Sequence, residues 1–337
     1  MKIYFFILGG KNSTTTYSNK LFANELKRLG YDIEIVEDYN TKLKILDKPE
    51  CNAIFFQKTV QCKAHTKEYI EHLKGKVNLI HIDDDYQNMK DKEHIETLNI
   101  SDLILVGTHL HKRKLKQHYT STPVEVISCM LDFAKYKYVP IKEKNNDQVI
   151  ISWQQSCADA YVDDILLIAQ VLNNLVKSYG VKIHLYGWHM GKDYKDNRSV
   201  VKEVLPSAKF IKYEPMERYI KNIVPQISKS DIFIMPYINS PYRWGKSGFG
   251  LKRMMLLGIP VVVSSTQHHN TMIKNGVNGF TASNNKEWYY YLEKLIKDKS
   301  LREIFSINGR KSMEKEFNNE KVIKQFIKMV NKHLDVF

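Results

Sequence analysis

The sequence predicts an α/β protein made of two doubly wound domains in tandem, followed by C-terminal helices. Three observations carry the prediction. The chain has 337 residues, more than twice the length of an ordinary single domain, which favours two domains. Short runs rich in β-branched and aromatic residues recur between amphipathic stretches. Those runs are nearly continuous instead of alternating, the pattern of strands covered on both faces in a parallel sheet.

In the first half the strand-like runs are IYFFIL (3–8), DIEIV (32–36), AIFFQ (53–57), VNLIHI (77–82), DLILVG (102–107) and VEVIS (124–128). Phe22, Leu26 and Leu29 fall at helical spacing between the first two, and Gly30 stands where that helix would stop. This βα-repeating unit is assigned to residues 1–135. The charged stretch 136–148, with Pro140 and few apolar residues, reads as a linker. The alternation restarts with VIISW (149–153), a helix over 160–178, VKIHLYG (181–187), KFIKY (209–213), a helix over 216–229, DIFIMPY (231–237), a loop, a short helix over 250–257 and PVVVSS (260–265). Trp288, Leu292 and Leu295 mark a further helix, and the second domain is assigned to 149–316. Residues 317–337, with Val322, Phe326, Ile327 and Val330 on one face, form a last helix expected to pack back on the N-terminal domain. Two such domains leave a cleft between the carboxyl ends of their sheets, where open α/β folds bind ligands.

With 43% apolar residues, 15 Gly and 9 Pro, the composition excludes a mostly disordered or collagenous chain. No apolar run approaches the roughly 18 residues of a membrane span, and the N-terminal run is too short for a signal-peptide core. A cytoplasmic chain is expected. Cys51, Cys62, Cys129 and Cys157 form no C-x-x-C pair, so neither a disulfide framework nor a zinc site is indicated. The balance of 51 Lys+Arg against 37 Asp+Glu gives +14, which suits phosphorylated substrate, nucleic acid or an acidic membrane face. A solvated Lys-rich surface fits the same number.

The stretch SDIFIMPYINSPYRWGKSGFGLKRMMLLGIPVVVSS (230–265) reads as strand, glycine-rich loop, helix and strand. Gly245, Gly248 and Gly250 allow backbone N–H groups to approach a phosphate, the helix behind them stabilises an anion, and Lys246 adds a cation. Neither G-x-x-x-x-G-K-[ST] nor G-x-G-x-x-G is present, which excludes an ATPase loop and a dinucleotide fingerprint. Glycines serving only a tight turn are the alternative.

In order along the chain, IDDD (82–85), SDLILVGTHLHKRKL (101–115), VEVISCMLDFAKY (124–136), PYRWGKSGF (241–249), MMLLGIPVVVSS (254–265) and HHNTMIKNGVNGF (268–280) resemble the GT-B glycosyltransferases of the large retaining group called family 4. The resemblance covers most of the chain. It implies two Rossmann-like domains facing each other across a cleft, the acceptor held by the first and a nucleotide-diphosphate sugar mainly by the second. It further implies retention of anomeric configuration by a front-face route, no metal or other cofactor, and a place in surface-glycan biosynthesis. The implied acceptor is a glycan, a lipid-linked sugar or glycolipid, or a protein. The loop agrees with this, because N–H groups and a cation at a departing diphosphate stabilise the transition state more than the ground state.

Carried over by motif, Lys246 is the family lysine at the phosphates, Ser247 stands at the Cys/Ser position, and the backbone of Gly248 and Phe249 faces the donor. Gly9 and Gly10 match the N-terminal glycine loop near the transferred sugar, with a plain strand-to-loop turn as the other reading. Many members carry two glutamates separated by seven residues; here Gly245 and Arg253 stand in their places, and Gly250 replaces a second lysine. The exchange removes a usual sugar contact and a usual ribose contact, which leaves donor identity open and admits a degenerate sugar-nucleotide-binding subunit. Arg253 and Lys252 pairing with phosphate would preserve nucleotide binding. Gln155 and Ser156 end the first strand of the second domain on the donor side, and Tyr213 and Glu214 are candidates for the base pocket.

Asp83 and Asp84, with Asp85, crowd acids at a sheet's carboxyl edge. They read either as sugar or acceptor contacts with a catalytic part, or as a helix N-cap. The basic stretch from His109 through Lys116 reads as a solvated helix face or as a contact for an anionic acceptor or the inner membrane surface. His268 and His269 read as loop residues. A modified nucleic acid as acceptor is the remaining alternative, motivated by the charge alone.

Overall fold

In a computed structural model the protein is described for residues 2–7, 14–37, 44–57, 71–82, 92–118, 120–144, 147–189, 197–334 and 336–337. It divides into two compact units. Unit 1 comprises Met1–Asp132, Gly245–Ser247 and Phe317–Phe337, and unit 2 comprises Phe133–Trp244 and Gly248–Glu316.

Unit 1 holds a six-stranded parallel sheet of β1 (Ile3–Phe6), β2 (Ile33–Val36), β3 (Ala53–Gln57), β4 (Val77–Ile82), β5 (Leu103–Val106) and β6 (Val124–Val126), in the order β2-β1-β3-β4-β5-β6. Among the described residues its helices include α1 (Thr14–Arg28), α2 (Lys92–Asn99) and α3 (His109–His118). The near-continuous apolar runs have a direct cause. Side chains alternate between faces along a strand, and both faces are covered: Ile3, Phe5, Phe55 and Leu103 enter one core, while Tyr4, Phe6, Phe56 and Ile104 enter another. The first core also takes Val322, Ile323, Phe326 and Val330 from the C-terminal helix, with the Phe326 ring 5.2 Å from Phe22 and 5.9 Å from Phe55.

Unit 2 is built on β7 (Ile150–Gln154), α4 (Val162–Tyr179), β8 (Lys182–Trp188), α5 (Arg198–Val204), β9 (Lys209–Lys212), α6 (Met216–Asn222), α7 (Val224–Ile227), β10 (Ile232–Met235), α8 (Pro241–Trp244), α9 (Phe249–Leu256), β11 (Val261–Ser264), α10 (His269–Met272), β12 (Phe280–Ala282), α11 (Asn285–Lys297) and α12 (Lys299–Glu316). The helix α13 (Asn319–His333) follows and belongs to unit 1. The second sheet is again six-stranded and parallel, ordered β12-β11-β10-β7-β8-β9. From β7 the chain winds outward to β9, then returns to β10 on the other side. The carboxyl ends of β7 and β10 therefore flank a topological switch point, where such sheets bind ligands.

Residues 133–144, most of which the charge pattern reads as domain end and linker, group with unit 2. Val139 N–H donates to Leu257 O at 3.1 Å, Arg310 donates to the carbonyls of Tyr136 and Leu256 at 2.7 and 2.6 Å, and Lys144 Nζ donates to Ser230 O at 2.5 Å. Burial lowers the Lys144 pKa to about 8. Gly258 has φ +74°, and a Cβ there would lie 2.3 Å from the Tyr138 ring, so these tyrosines supply anchors that net charge conceals.

Candidate active site

At the switch point the loop after β10 is tied down before it turns. Tyr237 N–H donates to Ser264 Oγ at 2.8 Å, joining the ends of β10 and β11. Ile238 N–H donates to Asp164 Oδ1 at 3.0 Å. The other oxygen of Asp164 lies 2.9 Å from Arg243 Nε, and Arg243 also donates to Ala160 O at 3.0 Å. The guanidinium sits 4.1 Å from the centre of the Tyr161 ring, and the Tyr161 and Tyr242 hydroxyls are 3.0 Å apart. Both charges are buried. A buried pair needs extra hydrogen bonds to offset desolvation, and those from Ile238 N–H to Asp164 and from Arg243 to Ala160 O supply them, so α8 is clamped to the start of α4.

Gly245–Ser247 group with unit 1. There Thr108 Oγ1 donates to Gly245 O at 3.4 Å and accepts from His111 N–H at 3.2 Å. A Cβ on Gly245 would lie 2.3 Å from His111 Nε2, which excludes any larger residue at this position with His111 in place. Lys246 is half-buried and Ser247 buried.

In unit 2, Gly248 begins α9 with φ +69°, a left-handed conformation that favours glycine. A Cβ there would meet Met272 Cε at 2.5 Å. The amides of the first helical turn have no partner within the helix, and with the helix dipole they make this end receptive to an anion. Phe249 is buried and Gly250 half-buried. Arg253, also buried, lies with its guanidinium 4.7 Å from the centre of the Tyr219 ring and 5.0 Å from that of Phe249. Tyr219 donates to Gln154 Oε1 at 2.8 Å. Burial raises its pKa, which keeps the phenol a donor. The end of β7 is thereby linked to α9 through one tyrosine.

Gln155 follows β7, its N–H donating to Tyr186 O at 3.2 Å, and Ser156 is exposed. Gly187, with φ +101°, lets β8 pass close, since a Cβ there would overlap Gln155 O at 1.7 Å. Tyr213 N–H donates to Trp188 O at 2.8 Å, and its ring stacks on His189 with centroids 4.6 Å apart. Glu214 pairs with Arg218 at 3.0 Å. Unit 2 thus carries two further groups: the Gln154–Tyr219–Arg253 wall and the His189–Tyr213 stack. Gly9, Gly10, Asp83 and Asp84 lie outside the described residues. Among the described residues no three His, Cys, Asp or Glu side chains group as a metal ion would require, and no helix is long and apolar enough to cross a membrane.

Sequence reasoning passed over Asp164, Arg243, Tyr219 and His269 as parts of this region. His269 is fully buried, its Nδ1 2.8 Å from Ser264 O, its ring stacked on Tyr237 at 5.1 Å. Burial lowers its pKa to about 4 against the raising effect of the backbone bond, so it is neutral at pH 7. The only sequence signal for Arg243 is an arginine inside an otherwise aromatic turn.

Residues 137–312, more than half of the chain, match the family model described as Glycosyl transferases group 1. Among solved structures, Anabaena Alr3699/HepE in complex with UDP and glucose superposes with a TM-score of 0.71 at 14% identity, covering 98% of this chain and 100% of that one. The sucrose-phosphate synthase of Thermosynechococcus elongatus gives 0.71 at 12% identity and 98% coverage of both chains. An alpha-glucosyltransferase bound to UDP and a 13-mer DNA containing an HMU base gives 0.70 at 10% identity, covering 98% and 99%. No curated protein sequence matches the chain. These structural likenesses show the fold: parallel α/β units of the GT-B class.

Proposed function

The chain belongs to the group 1 glycosyltransferases, and from that premise we propose that it is a retaining enzyme of the family 4 type, moving a sugar from a nucleoside-diphosphate sugar to a glycan, lipid-linked or protein acceptor in surface-glycan synthesis. The observation that carries the reading is the 245–250 loop: a left-handed Gly248 opening α9, with Lys246 immediately before Ser247. UDP in the HepE and alpha-glucosyltransferase structures makes UDP-sugars the first donors to test.

In the proposed reaction the bond from the anomeric carbon to the β-phosphate oxygen breaks and a bond to the acceptor oxygen forms on the same face. The acceptor's proton passes to the departing phosphate. Negative charge grows on the diphosphate as the bond lengthens, and the α9 amides with Lys246 stabilise it most at that moment. Arg253, on the aromatic faces of Tyr219 and Phe249, supplies a second cation at the ribose and phosphate end, where many relatives have a glutamate. Gln155, Ser156, Tyr213 and Glu214 are assigned to the base side, Gly9 and Gly10 to the donor sugar, and Asp83 and Asp84 to sugar or acceptor hydroxyls. No metal is required, and the enzyme is assigned to the cytoplasm, with the inner membrane face as a further place of action.

The test is incubation of the purified protein with a panel of nucleotide sugars, read by slow donor hydrolysis and thermal shift. One donor is expected to respond, with turnover unchanged by a chelator. A folded protein that responds to none overturns the reading, and loss of turnover on chelation overturns its metal-free part. A second reading, a modified base in nucleic acid as acceptor, draws on the charge of +14 and on the DNA held by the alpha-glucosyltransferase. It requires DNA binding that falls steeply with salt.

A further inference from the structure

Trp244 is a feature that the proposed function leaves unused. It ends α8 and is 38% exposed, whereas Trp153, Trp188 and Trp288 are 0%, 0% and 2% exposed. Single exposed aromatics are common on protein surfaces, so position must decide whether this one matters. Two observations bear on it. The turn that presents it is fixed twice: Arg243, one residue earlier, is held in a buried ion pair with Asp164 at 2.9 Å, and Trp244 N–H itself donates to Ser240 O at 2.9 Å. A buried charge pair is a costly anchor for a four-residue turn, and what it holds in place is an indole that stays in water. The next residue in the chain is Gly245, which opens the 245–250 loop, so the indole is two positions from the cation assigned to the departing diphosphate.

An indole offers a flat, electron-rich apolar face with a polar N–H at its edge. A pyranose has a matching form, an apolar C–H face with hydroxyls around its rim. Stacking the two removes apolar area from water while leaving the rim hydroxyls solvated or hydrogen-bonded. A nucleobase would fit the same face, but the parallel His189–Tyr213 rings already provide a stack at the edge of β8 and β9. Resting on the transfer reaction above, we propose that Trp244 is the platform on which the acceptor's carbohydrate ring stacks, which selects a glycan or glycolipid acceptor over a lone protein hydroxyl.

Because the other three tryptophans are buried, acrylamide quenching of the intrinsic fluorescence of the full chain reads Trp244. The protein is titrated first with UDP, and then, with UDP present, with methyl glycosides of glucose, galactose, mannose and N-acetylglucosamine. UDP alone is expected to leave the quenching unchanged, and at least one glycoside to protect Trp244. For that glycoside, Trp244→Ala is expected to raise the acceptor KM by about tenfold at unaltered UDP affinity, and Trp244→Phe to recover most of the loss. Protection by UDP alone, protection by none of the glycosides, or an unchanged acceptor KM in Trp244→Ala overturns the platform while leaving the donor reading standing. Failure of UDP to bind the wild-type protein overturns both.

Discussion

Arg243 and Arg253 bracket the glycine-rich loop, both are buried and both lie against two aromatic rings, yet a carboxylate is paired with the first. Arg243 faces a carboxylate, Asp164, at 2.9 Å. Arg253 lies on the faces of two aromatic rings, those of Tyr219 and Phe249. A guanidinium matched by a carboxylate has its charge satisfied within the protein, and removing it strands the partner. A guanidinium on aromatic faces is supported through its plane, and its planar fork matches the geometry of a phosphate. The contrast fits an architectural role for the first arginine and the ligand-binding role proposed above for the second.

The largest expected effect tests the first assignment. Arg243→Met leaves Asp164 buried without its cation and should cost about 3–5 kcal/mol in denaturant unfolding, with part of the loss recovered when Asp164→Leu is added. A cost no greater than that of an exposed ion pair would break the contrast from the Arg243 side. Gly248→Ala follows, at on the order of 3 kcal/mol, because the left-handed backbone and the Met272 contact both oppose a Cβ. Adding Met272→Ala should relieve the contact and leave the backbone cost. Lys246→Ala should change stability little and weaken nucleoside-diphosphate binding by about 1.5–3 kcal/mol, as expected for a charge-assisted contact. Arg253→Gln sharpens the comparison: a smaller loss in unfolding than that of Arg243→Met is expected, with a clear loss of UDP affinity measured by calorimetry. If Arg253→Gln cost as much stability as Arg243→Met and left binding intact, the two roles would be reversed.

The smallest effect lies away from the loop, at Glu125 on β6, which accepts from Lys112, Lys332 and His333 at 2.7, 2.9 and 3.0 Å. Burial alone would raise its pKa, but the hydrogen bonds from these three partners lower it from 4.5 to about 2. A depressed carboxylate contributes stability above its unfolded pKa and loses it as pH falls through the folded value. The penalty of Glu125→Gln, about 1 kcal/mol for three partners that remain partly exposed, should therefore be fully present just above pH 4.5 and shrink towards pH 2. A penalty that grows on acidification would contradict this.

How much of this was legible in the sequence follows from range. The strands of both sheets were readable because burial on two faces leaves a local signature, as in AIFFQ (53–57) and VNLIHI (77–82), whose bounds coincide with β3 and β4. The loop was readable through its glycines. Four features were not. The short β12 is Phe280–Ala282, three residues directly after turn-like glycines. The helix read over 216–229 is two, α6 and α7, separated at Ile223 with Pro225 near the start of the second. The pairings Arg243–Asp164 and Tyr219–Gln154 join residues far apart in the chain, and long-range pairs leave no periodicity to find. Tyr136 and Tyr138 tied 133–144 to unit 2 through packing that a count of charges does not register.

The central claim is that the 245–250 loop binds the diphosphate of the donor. Calorimetric titration of UDP and of uridine, against the wild-type protein and Lys246→Ala, tests it most directly. The account predicts that UDP binds far more tightly than uridine, and that the lysine variant closes much of that gap. Equal affinity for UDP and uridine, or a variant that binds UDP as well as the wild type, would contradict it.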